Sequence, residues 1–324
     1  MRPAKGSVVN SPRSPRLVSF VFLARWRALR TAMRVTTRTL SMKRPPSGPL
    51  LLVVILLLPS LSFAQQRPLV TEDPETIGAG RVLVEAGFDY GRSIFYPASG
   101  LEGHLFRAPL VGISVGVSSI AEVQLDGGFF DHLSITRRSP APLSNMLTVT
   151  EDTTSDVDDL TIGMKIRVAA ETASRPAFGF RFATKLPNAS NESGLGLDTT
   201  DFFASLVGAK TVQSIRVVGN IGMGILGDPT RGDRQNDVLT YGFSLARALT
   251  QPAEVVAEIN GQLDTREGAP PPGTGSRGQV RVGARYTVGG WRADAAVLVG
   301  VTTRDPGIGF AAGFTYVFNA FKIP

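Results

Sequence analysis

The 324-residue chain has no cysteine and only two histidines, and no acidic side chain appears before Glu72. Without thiols, disulfide frameworks, thiolate metal sites and cysteine nucleophiles are all excluded. Long apolar runs are also missing beyond Ala64. The longest stretch free of Asp, Glu, Lys and Arg there is Pro306 to Phe321, 16 residues that include three Gly, one Pro and one Asn. A spanning helix needs about 20 mainly apolar residues, so a helical membrane anchor is excluded from this region.

The charge balance is equally uneven. All 11 basic residues of the first 48 positions stand where there is no acid, so the formal charge of +7 belongs to the leading segment. With residues 1–64 set aside, 23 Lys and Arg face 27 Asp and Glu, a net of −4. The basic pI therefore does not signal a nucleic-acid partner. Within that leader, Lys43 and Arg44 precede the apolar stretch Leu50 to Leu58, which ends at Ser62-Phe63-Ala64. Basic, apolar and small-residue regions in this order form a secretory signal, with an apolar core too short to span a bilayer. Residues 1–41 then read as an over-extended start or a leader remnant, 65–80 as a periplasmic N-terminal segment, 81–318 as the folded domain and 319–324 as a short tail.

What the exported region does contain is two-residue alternation. In Arg81 to Gly91, Val82, Val84, Ala86, Phe88 and Tyr90 share one face while Arg81, Glu85 and Asp89 share the other. Similar runs set Val123 and Leu125 against Glu122, Gln124 and Asp126, and Ile162, Met164 and Ile166 against Lys165 and Arg167. Phe178, Phe180 and Phe182 oppose Arg181 and Lys185; Val255, Ala257 and Ile259 oppose Glu254, Glu258 and, further on, Asp264. Val280, Val282 and Ala284 oppose Arg281 and Arg285, and Trp291, Ala295 and Val297 oppose Arg292 and Asp294. A soluble sandwich also alternates, but it rarely concentrates charge of both signs on one face of strand after strand. The pattern predicts an all-β fold, a transmembrane antiparallel up-and-down β-barrel of about twelve strands.

The linkers agree. Those near 118–121, 171–176, 211–214, 250–253 and 289–290 are short, whereas 92–102, 134–157, 188–200, 227–237 and 266–277 are long and rich in turn formers. Short turns on one rim and long loops on the other put both termini on the periplasmic side. Two strands are irregular: Arg107 and Pro109 fall on the apolar phase of 103–117, and Phe203 breaks the alternation of 201–210. At the far end Phe310, Ala312, Phe314, Tyr316 and Phe318 share a face, a C-terminal strand similar to those inserted by the barrel-assembly machinery. Tyr286, Trp291, Tyr316 and Phe318 would make an aromatic girdle at the periplasmic rim.

Several short motifs carry a family resemblance. Arg67-Pro68-Leu69-Val70-Thr71-Glu72-Asp73, then Thr76-Ile77-Gly78 and Gly80-Arg81, resembles the opening of the outer-membrane family labelled for the MetA pathway of phenol degradation. Lys185-Leu186-Pro187, Asp198-Thr199-Thr200-Asp201 and Gly307-Ile308-Gly309-Phe310 are also similar to that family. The resemblance implies an outer-membrane channel for aromatic or other hydrophobic small molecules, and it carries over no ligand residues. A structural or surface-interaction barrel is the alternative.

No catalytic, cofactor or metal site is expected. His132, Ser134 and Asn145 are similar to the constellation of the outer-membrane phospholipase, but Asn145 sits in a Pro-rich loop, so a lipid hydrolase is a remote reading. The acids Glu151, Asp152, Asp156, Asp158 and Asp159 are most simply a solvated loop. The functional candidates are the wet face: Arg81, Glu85, Asp89, Glu122, Asp126, Lys165, Arg167, Arg181, Lys185, Glu254, Glu258, Asp264, Arg281, Arg285, Arg292 and Asp294. They could set a transverse field across a lumen or simply pair and fill it. Residues 65–80 lack alternation, and Arg67, Glu72, Asp73 and Glu75 could bring that segment against lumen charges at the periplasmic mouth. The expected partners are outer-membrane lipid, the barrel-assembly machinery and an unidentified small solute.

Overall fold

Alternation of apolar and polar side chains lets a strand face lipid on one side and a polar interior on the other, and bilayers leave such strands one solution. Every backbone donor and acceptor must be paired, so the sheet has to close. A computed structural model describes residues 67–322, and in it the sheet does close. The leader, the signal segment and the last two residues fall outside the described residues.

Fourteen strand segments follow in order: β1 (Arg81–Tyr96), β2 (Leu101–Gly116), β3 (Ala121–Gly128), β4 (Asp131–Arg138), β5 (Thr153–Asp156), β6 (Thr161–Ala169) and β7 (Ala177–Lys185). Then come β8 (Asp201–Val212), β9 (Ile215–Gly227), β10 (Gln235–Ala248), β11 (Ala253–Asp264), β12 (Arg277–Val288), β13 (Trp291–Gly300) and β14 (Ile308–Asn319). Segments β3 and β4 both pair with β2, and β6 and β5 pair with β3 and β4 respectively, so the fourteen segments make twelve barrel strands. Each is antiparallel to its neighbours. Pairing of β1 with β14, from Arg81 opposite Asn319 to Arg92 opposite Ile308, closes the wall. The expected all-β, twelve-stranded barrel is the observed fold.

Strand lengths exceed the expectation on one rim. β1 and β2 run 16 residues each, against about 9–11 needed to cross a bilayer. The linker expected at 92–102 therefore shrinks to Pro97–Gly100, and β4 and β5 occupy both ends of the one expected at 134–157. Pro, Gly and charged residues hid these extensions, because strand surplus standing in water needs no lipid-facing side chains. Loops on that rim fold together: Leu143 N donates to Ala98 O at 2.9 Å and Ser99 Oγ to Gly194 O at 2.8 Å. Beneath them Leu101, Leu105 and Leu133 form an apolar cluster inside the barrel.

Two irregularities change the phase of the wall. Between Gly87/Leu110 and Asp89/Arg107 the β1–β2 register shifts, and Phe129 and Phe130 interrupt the strand facing the same point of β2. A one-residue slip sends every later side chain to the opposite face. Arg107 accordingly points inward, correcting the apolar phase expected for it, and it meets Asp89 in two hydrogen bonds of 2.9 and 2.6 Å.

The outer surface carries the large apolar residues, among them Phe178, Phe180, Phe182, Leu206, Ile221, Val282 and Val297. At the foot of β13 and β14 the Trp291 and Tyr316 rings stack 4.2 Å apart, and Tyr316 stacks on Phe318. Replacing Val282 or Val297 by Arg should cost about 2–4 kcal/mol of folding free energy in vesicles, measured by urea unfolding. The same change at Thr240, whose side chain opens on the lumen, should be mild. Equal losses at all three would contradict the assignment of faces.

Candidate functional site

Residues 67–80 run through the barrel interior, and the wall is shaped to receive them. Gly87 of β1 and Gly313 of β14 are register partners. A methyl group on either would collide with the Arg67 guanidinium, so two bare backbones leave the slot in which that side chain lies. Gly242 of β10 similarly makes room for Thr71. At the other end Ile77, 1% exposed, packs on Leu83 and Val317 and anchors the segment before it turns into β1. Full burial of such a side chain contributes about 1.5–3 kcal/mol.

Backbone groups of the segment, which has no strand partner, are met by side chains from the wall. Glu258 accepts from the Val70 N–H at 2.9 Å, the Thr71 N–H at 2.8 Å and the Thr71 hydroxyl at 2.7 Å. Arg285 donates to Arg67 O at 2.8 Å and Arg281 to Pro68 O at 3.1 Å. The Asn220 amide, in the orientation that satisfies its partners, accepts from Glu72 N at 2.8 Å and donates to Glu72 O at 2.9 Å. Glu122 accepts from Ile77 N at 2.8 Å. These bonds replace the ladder that an isolated chain would otherwise leave open to desolvation.

Charge does the rest. Lys165 is fully buried and sits 3.3 Å from Glu72 and 3.1 Å from Glu122. Arg181 reaches Glu72 at 2.8 Å, Arg216 reaches Asp73 at 2.7 Å, and Arg167 pairs with Glu75. Arg67 stands 3.7 Å from Asp294. Removing one partner of a buried pair typically costs about 3–5 kcal/mol, because the other charge is stranded. Burial by itself would raise the Glu72 carboxyl, but Lys165 and Arg181, helped by hydrogen bonds from Gln124 and Lys165, outweigh it and hold the group below the usual carboxylate range.

The remaining wet-face candidates are distributed along the same interior. Glu85 accepts from Thr315 at 3.1 Å, Lys185 pairs with Asp159 at 2.7 Å and Asp201 at 3.0 Å, and Glu254 lies 4.0 Å from Arg285. Asp126 is 4.0 Å from Arg181, Arg292 donates to Thr287 at 3.1 Å, and Asp264 accepts from Asn236 at 3.1 Å near the loop rim. Arg81 lies at the foot of β1, its backbone N–H bonded to Gly78 O. The candidates are thus gathered on one lumen, and most of them are divided among separate pairs.

Some participants were not legible. Arg107 was hidden by the register shift, and Arg216, just after a tight turn, lay outside any strong alternation. His132, even-numbered like the wet-face residues Glu122, Gln124 and Asp126, nonetheless faces outward because the break at Phe129 and Phe130 flips β4. Its Nδ1 lies 2.8 Å from Ser155 Oγ, its ring stacks on Phe130, and among the described residues no third side chain orients it. The acids of the 151–159 stretch disperse: Asp158 goes to Arg107, Asp159 to Lys185, and Asp156 to the Ser190 N–H at 2.8 Å.

Around the segment two chambers remain. One, about 350 Å³, is bounded by Arg67–Val70, Glu85, Asp89, Arg107 and Arg281. The other, about 450 Å³, is bounded by Val70–Glu72, Arg181, Tyr241 and Asn260. Val70 separates them.

With this geometry in hand, likeness to known proteins can be placed. The model of the family described as "Putative MetA-pathway of phenol degradation" matches residues 65–318, nearly the whole of the barrel and its inserted segment. The chain belongs to that family. No curated protein matches the sequence. Among solved structures, the COG4313 outer membrane channel from Pseudomonas putida F1 shares the fold with this family member, at a TM-score of 0.54 and 13% identity over 76% of this chain and 98% of that one. More distant resemblances extend to the translocator domain of the autotransporter NalP from Neisseria meningitidis (TM-score 0.42, 16% identity, 74% and 89% coverage). They also include the Pseudomonas putida toluene transporter TodX (TM-score 0.37, 10% identity, 77% and 92% coverage).

The lowered Glu72 value gives a pH expectation. A group whose folded pKa lies below its unfolded one contributes fully above the ordinary carboxylate range and loses that contribution as pH falls through the folded value. A nitroxide on Val70→Cys, the sole thiol in this cysteine-free chain, should stay immobile down through the ordinary range and loosen only in stronger acid. Glu72→Gln should remove the acid step and loosen the label already at neutral pH. Loosening of the parent at or above the ordinary carboxylate range would contradict the pairing.

Proposed function

We propose that the protein is an outer-membrane channel for small solutes whose bore is narrowed from inside by residues 67–77. The observation that carries this reading is the pair of chambers flanking the segment, about 350 and 450 Å³, which a barrel filled solely by its own side chains would lack. Membership of a family described for phenol degradation favours small aromatic or other hydrophobic molecules as solutes. The Pseudomonas putida F1 protein that shares the fold is itself named an outer membrane channel. On this reading the barrel acts without catalysis, is exported by the cleaved signal segment and is inserted by the barrel-assembly machinery into outer-membrane lipid.

A second reading, a sealed structural barrel, is favoured by one observation: the segment's charges are matched almost one for one by the wall. Conductance separates the two. In planar bilayers the parent barrel should give small openings, and deletion of Arg67 to Glu75 behind an intact cleavage site should enlarge them several-fold in the fraction of barrel that heat modifiability shows to be folded. A parent that never opens, with a deletion that conducts, would favour the sealed barrel; a deletion that changes nothing would remove the segment's role in the bore.

A further inference from the structure

One cavity of the lumen carries cationic groups that the segment does not use. It lies towards the long-loop rim, has a volume of about 200 Å³ and adjoins the chamber at Arg67, sharing Asp89, Arg107, Asp158 and Arg281 with it. Its outer wall is formed by Arg277 at the start of β12 and Arg304 in the loop before β14.

Four acids lie near this pair, and none forms an ion pair with it. Asp89 and Asp158 hold Arg107. Asp131, the register partner of Arg107 across β2 and β4, also lines the cavity, with its Oδ1 buried and without a hydrogen bond, and it makes no ion pair with Arg277 or Arg304. Asp305 accepts through Oδ2 from Gly278 N at 2.9 Å, Thr302 N at 3.1 Å and Thr302 Oγ1 at 2.6 Å, and it makes no ion pair with either arginine. Among the described residues the Arg277 and Arg304 side chains consequently have neither a hydrogen bond nor a carboxylate within ion-pair distance, although each presents five donors. Leu105, Leu298 and Tyr96 line the same cavity.

Two guanidiniums without an ion-pair partner, lining one cavity together with aliphatic side chains, are complementary to an organic acid. We infer that this cavity binds a small carboxylate with an apolar body, the carboxylate held by Arg277 and Arg304 and the body laid on Leu105 and Leu298. Guanidinium recognises carboxylate in a bidentate, charge-assisted way, and neutral analogues gain none of it. Along β12 Arg281 and Arg285 repeat on the same face at four-residue intervals, so cationic groups continue from the cavity towards the segment. The inference rests on the channel reading and narrows its solute to the anionic class.

The test uses benzoate as the probe and the refolded full-length mature barrel in detergent, with binding followed by calorimetry. Benzoate should bind, and benzyl alcohol, of nearly the same shape without charge, should bind at least tenfold more weakly. Arg277→Gln or Arg304→Gln should each weaken benzoate about tenfold, while Arg277→Lys, keeping charge, should lose less. Heat modifiability of each variant verifies folding. Equal affinity for benzoate and benzyl alcohol, or unchanged benzoate affinity in a folded Arg277→Gln/Arg304→Gln double variant, would overturn the site. Conductance by the parent barrel with no benzoate binding would remove the site alone. Benzoate bound through Arg277 by a barrel that never conducts would sustain the site and remove transport.

Discussion

Lys165 is the charge on which the rest of the interior depends. It is fully buried in a β6 position that the lipid-facing alternation forces inward, and its neutralisation draws on Glu122 from the neighbouring strand and Glu72 from the N-terminal segment. Without Glu72, one wall of the barrel would keep Lys165, Arg167, Arg181 and Arg216 with too few acids of its own. The segment supplies Glu72, Asp73 and Glu75 within four residues, and so it is held inside. Insertion in this sense is a requirement of electroneutrality in a confined space.

Charge explains why the segment is inside, while glycine explains how closely it can lie. Arg67 fits only because Gly87 and Gly313 bring two side-chain-free positions side by side, and Thr71 fits only at Gly242. Side-chain acceptors and donors, chiefly Glu258, Arg285 and Asn220, then stand in for a missing strand partner. Together these features fix one path across the lumen and leave room beside it. Room lies beside the segment, and a further cavity bounded by Arg277 and Arg304 lies towards the loop rim.

Most of the wall was legible because lipid imposes a strict rule. Val282 and Val297 must face out, Arg281 and Arg285 must then face in, and twelve repetitions of that rule define the barrel. Where the rule is interrupted, sequence reading loses the phase: the register shift beside Arg107 and the break at Phe129 and Phe130 each reverse everything that follows, which is why Arg107 and His132 were misplaced. The segment's acids were visible as a cluster without periodicity. Their partners were not, since Glu72 and Lys165 are 93 positions apart and nothing local encodes the encounter. The unpaired state of Arg277 and Arg304 was equally hidden, because it follows from how neighbouring acids are spent.

The central claim is that residues 67–77 lie inside the barrel, and a cross-link tests it most directly. A Cβ at position 242 would lie 3.4 Å from the Thr71 Cβ, close to the roughly 3.5–4.5 Å separation that a disulfide bridges. In this cysteine-free chain a Thr71→Cys/Gly242→Cys pair has no competing thiol. Oxidation of the folded barrel should give near-complete intramolecular cross-linking, seen as a shifted band on a non-reducing gel, with none in urea-unfolded protein. Two thiols that both remain open to a membrane-impermeant maleimide in the folded barrel, with no cross-link, would contradict the account.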